Sequence, residues 1–373
     1  MCKRLLVTST DLMMIQFLVP HVKYLSENGF DVEIACSEVG GRLDEVRSAL
    51  DGYAKAVHEV RLVRNPAAPV NLLGYGDMKR LIDGGHYDVI WTNEPVMGVM
   101  TRLAARSARK RGTKVLYMVH GFHFYKGAPL ANWLAFYPIE RTMASKADVI
   151  ATVNREDYER AKTMRVDRVE YIHGIGLNTA RLHGSESRRD IRQELGLAEN
   201  AFLVLSVGEL NENKNHRTII KAIALLRDPT VHYIVCGKGA LLETLQKQAA
   251  ELGIADYVHF LGYRTDVVDI CAQADVFAMP SHREGMPVAS LEAMYCGLPL
   301  VTSGVRGLAD VMEDGVSGYI CPANDARAFA ARFRTLRANN QLRQRMSKRN
   351  LEAVKPYCIE NTKDEVLSLI KSL

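Results

Sequence analysis

Residues 276–302 read VFAMPSHREGMPVASLEAMYCGLPLVT, and this stretch decides the fold. The apolar run Val276–Met279 is typical of a buried strand, and a second such run follows at Leu298–Thr302. Between them lies a helical segment that ends at Gly297, where glycine commonly follows the last turn of a helix. A strand, a helix and a second strand in this order favour parallel pairing through a crossover helix. The stretch therefore predicts an α/β architecture.

The same alternation of short apolar runs and helical windows extends along the whole chain, which is typical of parallel sheets. In the first half, the expected strands are Arg4–Val7, Asp31–Ala35, Ala56–Leu62, Asp88–Trp91, Lys114–Val119, Asp148–Thr152 and Val169–Ile172. The helical windows between them are Ile15–Asn28, Gly41–Leu50, Leu72–Asp83, Pro95–Lys110, Leu130–Ser145 and Arg155–Thr163. The second half has its expected strands at Phe202–Val207, His232–Cys236, Val258–Leu261, Val276–Met279 and Leu298–Thr302.

A chain of 373 residues is too long for one ordinary core and fits two domains. The polar stretch Arg181–Asp190 separates the two alternating series, and we interpret it as the hinge. The predicted fold has two doubly wound Rossmann-like domains, 1–176 and 177–355, that face across a cleft. Ligands of such sheets bind beyond the carboxyl ends of the strands. We therefore expect the site in that cleft.

The composition excludes several classes of protein. The content of 47% hydrophobic and 24% charged residues is that of a globular protein, and seven scattered cysteines without a CxxC pair indicate neither a zinc site nor a disulfide framework. No apolar run reaches the roughly 18–20 residues of a membrane-spanning helix. The amino terminus lacks the features of a secretory signal. We expect a cytoplasmic protein without a metal cofactor or a nucleic-acid partner.

The strongest functional motif is EGMPVASLE, from Glu284 to Glu292. Gly285 permits an unusual backbone angle and the close approach of a ligand. Pro287 suits the first turn of a helix, whose free N–H groups favour a phosphate. Glu292 is a lone carboxylate on an otherwise apolar helix, which is costly unless a polar partner such as a ribose hydroxyl meets it. The alternative is that both glutamates are solvated surface acids.

The segment VGELNENKNH, residues 207–216, directly follows a predicted strand. Gly208 allows a tight turn at the edge of the sheet, and Lys214 could then reach a pyrophosphate as a point charge. A leaving diphosphate needs such a cation, because negative charge grows on it as the glycosidic bond breaks. A lysine in a polar loop is more often merely solvated, but the downstream motif at Glu284 favours the functional interpretation.

Glycine turns follow two further strands, at Cys236-Gly-Lys-Gly239 and Leu261-Gly-Tyr-Arg264. At these strand ends, Gly237 and the backbone around Tyr263 and Arg264 could recognise a nucleotide base. Ordinary turn chemistry explains the glycines equally well, so both interpretations stay open.

Two histidines follow a strand of the first half, in Val119-His-Gly-Phe-His123. A histidine at a strand end can orient a hydroxyl of a donor or an acceptor. This position makes His120 and His123 candidates for the site, and a purely structural role is the alternative for each.

A basic run without an intervening acid comprises Arg102, Arg106, Arg109, Lys110 and Arg111. On one continuous helix, Arg102, Arg106 and Arg109 would share a face, and an aromatic-rich stretch follows at 122–137. Together these residues could contact anionic lipid headgroups and the membrane interface. The alternative is a solvated helix face beside core aromatics.

Taken together, the motifs resemble glycosyltransferase family 4. The resemblance rests on the GEL sequence with its following lysine, on EGMPxxxLE, on Gly-Leu-Pro and on Asp314-Gly-Val-Ser-Gly318. The run HGFHFYKGAP at 120–129 resembles the bacterial capsule and exopolysaccharide branch of that family. The resemblance implies the GT-B fold, retention at the anomeric carbon and no essential metal. It also implies that the segment 356–373 carries a helix that returns to the first domain.

The resemblance also assigns roles to individual residues. It implies that Lys214 binds the donor pyrophosphate and that Glu292 holds the ribose. It further implies that Glu284 faces the hydroxyls of the donor sugar, with help from the backbone of Gly285 and Met286. His120 would lie beside the sugar and the acceptor.

Two positions depart from the family pattern. Many members carry an arginine where this chain has Glu209, so that Lys214 lacks its usual companion, although Glu209 stays among the donor-binding candidates. Arg264 and Arg283 are candidates for the missing cation. Paired glycines are common after the first strand, where this chain has Thr8-Ser-Thr-Asp11.

The expected activity is transfer of a hexosyl or N-acetylhexosaminyl group from a UDP-sugar. The expected acceptor is a soluble or undecaprenyl-diphosphate-linked saccharide, at the inner face of the membrane, in surface polysaccharide synthesis. One alternative is a non-hydrolysing UDP-sugar epimerase, which would convert a UDP-sugar without an acceptor. A second alternative is a non-catalytic sugar-binding protein.

Overall fold

A computed structural model describes residues 2–182 and 190–373, apart from the side chain of Arg181. The chain divides into two compact units. The first unit comprises Met1–Gly176 together with Ile359–Leu373, and the second unit comprises Leu177–Cys358. The sequence-based boundaries were 176 and 355, and positions 183–189 of the expected hinge lie outside the described residues.

The first unit contains a seven-stranded parallel sheet. Its strands are β1 (Lys3–Thr10), β2 (Phe30–Ser37), β3 (Ala54–Glu59), β4 (Val89–Asn93), β5 (Lys114–Val119), β6 (Val149–Thr152) and β7 (Arg168–Tyr171). They lie in the order β3-β2-β1-β4-β5-β6-β7, so the strand order reverses between β1 and β4. That reversal defines a doubly wound sheet and creates a crevice for ligands at its carboxyl edge.

Helices connect these strands. They are α1 (Asp11–Met13), α2 (Val19–Glu27), α3 (Leu43–Ala49), α4 (Val70–Gly85), α5 (Pro95–Ala104), α6 (Arg106–Lys110), α7 (Leu130–Ala144) and α8 (Arg155–Lys162). A π-helical segment, Met14–Leu18, joins α1 to α2. The last helix of the chain, Ile359–Lys371, also belongs to this unit and packs against α2. A Cβ atom at Gly176 would lie 2.2 Å from the Oγ1 atom of Thr362 in that helix, so glycine permits this close approach.

The expected helix Pro95–Lys110 is interrupted between α5 and α6, so its predicted continuity is wrong. The expectation that Arg102 lies on an exposed face is wrong as well. Arg102 is fully buried, donates from NH2 to Glu140 at 2.8 Å and lies over the ring of Tyr117. Its guanidinium is therefore enclosed by the first unit.

The second unit contains a six-stranded parallel sheet. Its strands are β8 (Phe202–Val207), β9 (Val231–Cys236), β10 (Val258–Gly262), β11 (Val276–Met279), β12 (Leu300–Ser303) and β13 (Gly318–Cys321). They lie in the order β10-β9-β8-β11-β12-β13, which is again doubly wound. The sequence did not predict β13, because only four residues follow a glycine turn and two of them are partly exposed.

The helices of the second unit complete the alternation. They are α9 (Ile191–Glu194), α10 (His216–Leu226), α11 (Leu242–Glu251), α12 (Val267–Cys271), α13 (Val288–Tyr295), α14 (Leu308–Val311), α15 (Ala326–Ala338) and α16 (Asn340–Ala353). Apolar side chains from both faces of the sheet form two buried clusters with these helices, as expected for parallel strands covered on both sides. Among the helices of the described ranges, none is long and apolar enough to cross a membrane.

Candidate active site

Two loops at the carboxyl edge of the second sheet bring Lys214 and Glu284 together. The Nζ atom of Lys214 lies 2.7 Å from the Oε1 atom of Glu284. Glu284 is buried, and the side chain of Lys214 keeps about a fifth of its surface exposed. The pair is thus a cation and an anion that one ligand can reach from the solvent side. The structure brings together the two residues of the second unit that the sequence assigned to catalysis.

Backbone contacts hold the two loops in register. The amide of His282 donates to the carbonyl of Asn213 at 2.8 Å, and the Asn213 side chain donates to the carbonyl of Arg283 at 3.0 Å. The side chain of Asn215 donates to the carbonyls of Pro280 and Ala323. These bonds fix the ends of both loops, so the charged pair is positioned by the scaffold and not only by its own attraction.

The glycines of this edge allow close backbone packing. A Cβ atom at Gly237 would lie 1.9 Å from the carbonyl oxygen of Gly208, and one at Gly307 would lie 2.2 Å from that of Gly285. Gly307 also has a φ of 78°, which L-residues rarely adopt. The predicted ligand-contact role of Gly208, Gly237 and Gly285 stays a prediction; their packing role is visible in the fold.

Glu292 lies on α13, downstream of Glu284. Burial raises the pKa of its carboxyl to about 6. Within residues 2–182 and 190–373, the carboxylate has no hydrogen-bond or ion-pair partner, and it does not contact Lys214 or Glu284. Glu292 is half-buried, and a partly desolvated carboxylate without a partner is a site for hydrogen-bond donors from a ligand. Pro287 precedes the first residue of this helix, and Met286 is half-buried beside it.

The structure assigns Arg264 to other partners than Lys214. Its guanidinium donates to Asp266 at 2.7 Å and to Glu194 at 2.6 Å, and these two acids raise its pKa. The expectation that Arg264 replaces the missing companion of Lys214 is therefore not supported by its contacts. Tyr263 is 73% exposed, and Glu209 is also exposed.

Sequence reasoning missed Arg306, which follows β12 at the same edge of the sheet. The side chain is buried, with 9% of its surface exposed, and the next residue, Gly307, packs on the backbone of Gly285. Arg283, the other sequence-based candidate, is exposed. A cation in the loop that follows a predicted strand, four residues after Thr302, was the signal that could have identified Arg306.

The carboxyl edge of the first sheet has a different chemistry. The Nε2 atom of His120 lies 3.0 Å from the Oδ1 atom of Asn93. Burial, and secondly the nearby His21, lower the pKa of His120 to about 4. His120 is therefore a neutral imidazole at physiological pH and can donate or accept a hydrogen bond without carrying charge.

Glu94, which sequence reasoning also missed, follows β4 at this edge. It has a φ of 65°, a rare value for a residue with a side chain. Its carboxylate accepts from the backbone amide of Thr10 at 2.7 Å and pairs with Arg64 at 3.3 Å. Strained backbone of this kind is concentrated at functional sites. An acid between a predicted strand and a helix that begins at Pro95 was the available signal.

Glu94 lies at a largely apolar groove of about 550 Å³ between α5 and α7. Val96, Met100 and Ile139 contribute to its walls. His123 lines it too, with its ring stacked on Phe136. The groove combines an apolar wall with a carboxylate, which suits an amphipathic ligand.

The two edges could handle different parts of a substrate. The second sheet offers a cation, a buried acid and a half-buried acid, which suit a pyrophosphate and sugar hydroxyls. The first sheet offers a neutral histidine and one acid. In the described part of the chain, no cluster of three or more histidine, cysteine, aspartate or glutamate side chains is arranged to hold a metal ion.

Family comparison agrees with this architecture. A model described as "Glycosyltransferase Family 4" matches residues 18–175. A second model, described as "Glycosyl transferases group 1", matches residues 187–352.

Two relatives extend the similarity across the chain. The Bacillus subtilis (strain 168) protein named "Putative glycosyltransferase EpsD" is 34% identical over 376 residues, which cover 99% of this chain and 96% of that protein. The Escherichia coli "UDP-Gal:alpha-D-GlcNAc-diphosphoundecaprenol alpha-1,3-galactosyltransferase" is 27% identical and covers 82% of this chain and 79% of that protein.

The fold is also that of solved structures. The Anabaena protein HepE, crystallised in complex with UDP and glucose, aligns over 100% of both chains with a TM-score of 0.80 and 20% identity. The Bacillus subtilis relative is similar to this chain over nearly its whole length, which shows the family. A glycosyltransferase is therefore favoured over an epimerase and over a non-catalytic binding protein. The chain belongs to glycosyltransferase family 4, and it is a glycosyltransferase with the GT-B fold.

Proposed function

We propose that this glycosyltransferase transfers a hexosyl or N-acetylhexosaminyl group from a UDP-sugar, with retention at the anomeric carbon, to a saccharide linked to undecaprenyl diphosphate. In this proposal the second unit binds the donor and the first unit binds the acceptor, and the product contributes to a capsule or an exopolysaccharide. The observation that carries the proposal is the Lys214–Glu284 pair, with 2.7 Å between its atoms, at the carboxyl edge of the second sheet.

Lys214 would stabilise the leaving diphosphate. Negative charge accumulates on the β-phosphate as the glycosidic bond breaks, and a positioned ammonium stabilises that charge more in the transition state than in the ground state. The free N–H groups at the amino end of α13, next to Met286, would add to this stabilisation. The departing phosphate then accepts the proton of the acceptor hydroxyl on the same face of the sugar, which gives retention without a protein nucleophile.

The two acids would hold the rest of the donor. Glu284 keeps lone pairs beyond those that face Lys214, and these can accept hydrogen bonds from hydroxyls of the donor sugar. Glu292, half-buried and without a partner in the described chain, would accept from the ribose. We assign Arg306 as the second cation near the diphosphate, because its loop packs on the backbone of Gly285.

The identities of donor and acceptor are supported by the relatives and not by contacts in this chain. The name of the Escherichia coli relative specifies UDP-galactose and a diphosphoundecaprenol acceptor, and the Anabaena structure contains UDP. The proposed reaction uses a nucleotide-sugar and a lipid-linked acceptor, so we place it in the cytoplasm at the inner face of the membrane.

The test has two stages. In the first, UDP-, GDP- and ADP-sugars are compared by thermal shift, since a specific ligand stabilises the fold that it binds; we expect the largest shift with a UDP-sugar. In the second, release of UDP is measured with and without a saccharide on a polyprenyl diphosphate, and the anomeric configuration of the product is determined by NMR.

Each stage has an outcome that contradicts part of the proposal. A larger shift with GDP- or ADP-sugars would overturn the assignment of UDP. An inverted product would overturn retention. Absence of UDP release with every polyprenyl-diphosphate saccharide, together with release in the presence of a soluble saccharide, would overturn the lipid-linked acceptor.

A further inference from the structure

A basic pocket of about 330 Å³ lies at the amino-terminal edge of the first sheet, where Lys114 begins β5 and Asp148 precedes β6. His120 and Glu94, by contrast, lie at the carboxyl edge. The pocket is lined by six cations, which are Arg102, Arg106, Arg109, Lys110, Lys114 and Lys146. The site thus lies at the edge of the sheet opposite to the one on which doubly wound sheets bind their substrates.

The charge of the basic pocket is only partly balanced. Its one carboxylate, Asp148, accepts from Arg109 at 3.1 Å and lies 3.8 Å from Lys114. Arg106, Lys110 and Lys146 have no carboxylate within 4.0 Å in the part of the chain that the structure describes. Three unpaired cations in one small concavity create a positive potential that attracts an anion.

Arg102 provides a second, independent observation. It is fully buried, its NH2 atom donates to Glu140, and its Nε atom donates to the carbonyl of Gly98. Its NH1 atom has no hydrogen-bond partner among the described residues. Buried donors are nearly always paired in folded proteins. Because Arg102 is among the residues that line the basic pocket, the wall of the pocket contains a buried guanidinium with one donor that the described residues leave unpaired.

We propose that the basic pocket binds a phosphate group. A phosphate has several acceptor oxygens that the planar guanidinium group of Arg106 can contact, with Lys110 and Lys146 as point charges, while the buried Arg102 adds positive charge to the wall of the pocket. Such a group is supplied either by a soluble phosphate compound or by the headgroup of an anionic lipid. The site is additional to the donor and acceptor sites, and it does not depend on the proposed substrates.

The test compares two variants with the same loss of charge. The pocket variant is Arg106→Gln with Lys146→Gln, and the control variant is Lys55→Gln with Lys371→Gln, two exposed cations of the same unit that do not line the pocket. Binding of pyrophosphate is measured by calorimetry at constant ionic strength. Lys214→Ala is present in every protein, so that the candidate donor site does not contribute the signal.

We expect the dissociation constant for pyrophosphate to rise roughly tenfold in the pocket variant and to stay within about twofold in the control. A second arm measures flotation with vesicles of phosphatidylglycerol and phosphatidylcholine. Loss of pyrophosphate binding indicates a soluble phosphate ligand, and loss confined to the vesicle arm indicates a lipid headgroup. If the pocket variant matches the control in both arms while near-UV circular dichroism shows both to be folded, the proposal is wrong.

Discussion

The carboxyl edges of the two sheets have the same topology but opposite chemistry. At the second sheet, the structure places a lysine against a buried glutamate and leaves the half-buried Glu292 without a partner in the described chain. At the first sheet, His120 is neutral, and Glu94 already accepts from a backbone amide. The same sheet topology therefore supports two different sites: the edge of the second sheet suits an anion, and the edge of the first sheet suits hydroxyl groups.

The doubly wound scaffold thus fixes where a site lies but not what it binds. Both sheets reverse their strand order, and both therefore open a crevice at the carboxyl edge. The charge at each crevice depends on a few residues directly after the strands.

Removing the cation of the second edge should have the largest effect. We expect Lys214→Ala to lower kcat by about 10²–10³, the usual consequence of deleting one positioned group that stabilises developing charge. The loss should fall mainly on kcat and less on binding of the donor, because the charge on the leaving group grows in the transition state. Steady-state kinetics of UDP release measure both parameters.

Two controls separate chemistry from folding. Lys247→Ala removes an exposed lysine of the same unit, and Glu212→Ala removes an exposed acid of the same loop. Both should keep nearly full activity. A Lys214→Ala protein that turns over at the wild-type rate would remove the basis of the donor site.

Replacing Glu292, the half-buried acid of the second edge, should have the next largest effect. Hydrogen bonds to a charged group contribute about 1.5–3 kcal/mol, so Glu292→Gln should weaken UDP binding roughly 10- to 100-fold. Calorimetry at pH 7.5 measures this change, with the exposed Glu243→Gln as the control. Equal affinities of wild type and Glu292→Gln would place the ribose elsewhere.

The pH dependence of the free energy of unfolding provides a second test of the environment of Glu292. Burial raises the pKa of Glu292 from 4.5 to about 6, so the folded state binds more protons than the unfolded state between these values. The contribution of Glu292 to the free energy of unfolding is therefore highest below pH 4.5, and it falls by about 2 kcal/mol as the pH rises to 6. Urea unfolding of Glu292→Gln, compared with wild type across this window, should lack that fall.

The sequence predicted the positions of most strands and the main features of the second edge for a physical reason. Apolar runs such as Phe202–Val207 and Val276–Met279 match the observed strands because parallel strands buried on both faces have little choice of composition. Lys214 and Glu284 were identifiable because each lies in a short loop next to such a run. A local sequence pattern is sufficient to identify a functional residue when that residue lies in the loop that follows its strand.

The rest depended on long-range packing. Helical spacing placed Arg102 on an exposed face, but the break between α5 and α6 and the distant Glu140 determine its burial. Glu94 was missed because its partners, Thr10 and Arg64, are 84 and 30 residues away along the chain. No window of sequence contains these contacts.

Glu94 therefore offers a test of the first edge. If the groove binds the acceptor, Glu94→Gln should raise the KM for the acceptor roughly tenfold, because a neutral amide makes weaker hydrogen bonds to sugar hydroxyls than a carboxylate does. The KM for the donor should change little. Asp77→Asn, which removes another carboxylate of this unit that pairs with arginines, is the matched control. An equal change in both KM values would indicate a general loss of structure.

The smallest effect on activity is expected at His120. A neutral hydrogen bond contributes about 1 kcal/mol, so His120→Gln should lower kcat/KM about fivefold.

The contribution of His120 to the free energy of unfolding depends on pH with the opposite sign to that of Glu292. Burial lowers the pKa of His120 from 6.5 to about 4, so the unfolded state binds more protons in this window, and its contribution to stability is complete above pH 6.5 and lost as the pH falls to 4. The free energy of unfolding of His120→Gln should therefore decline less than that of wild type on acidification, whereas that of Glu292→Gln should decline more. If both variants changed the slope in the same direction, the two edges would not differ in charge as the structure indicates.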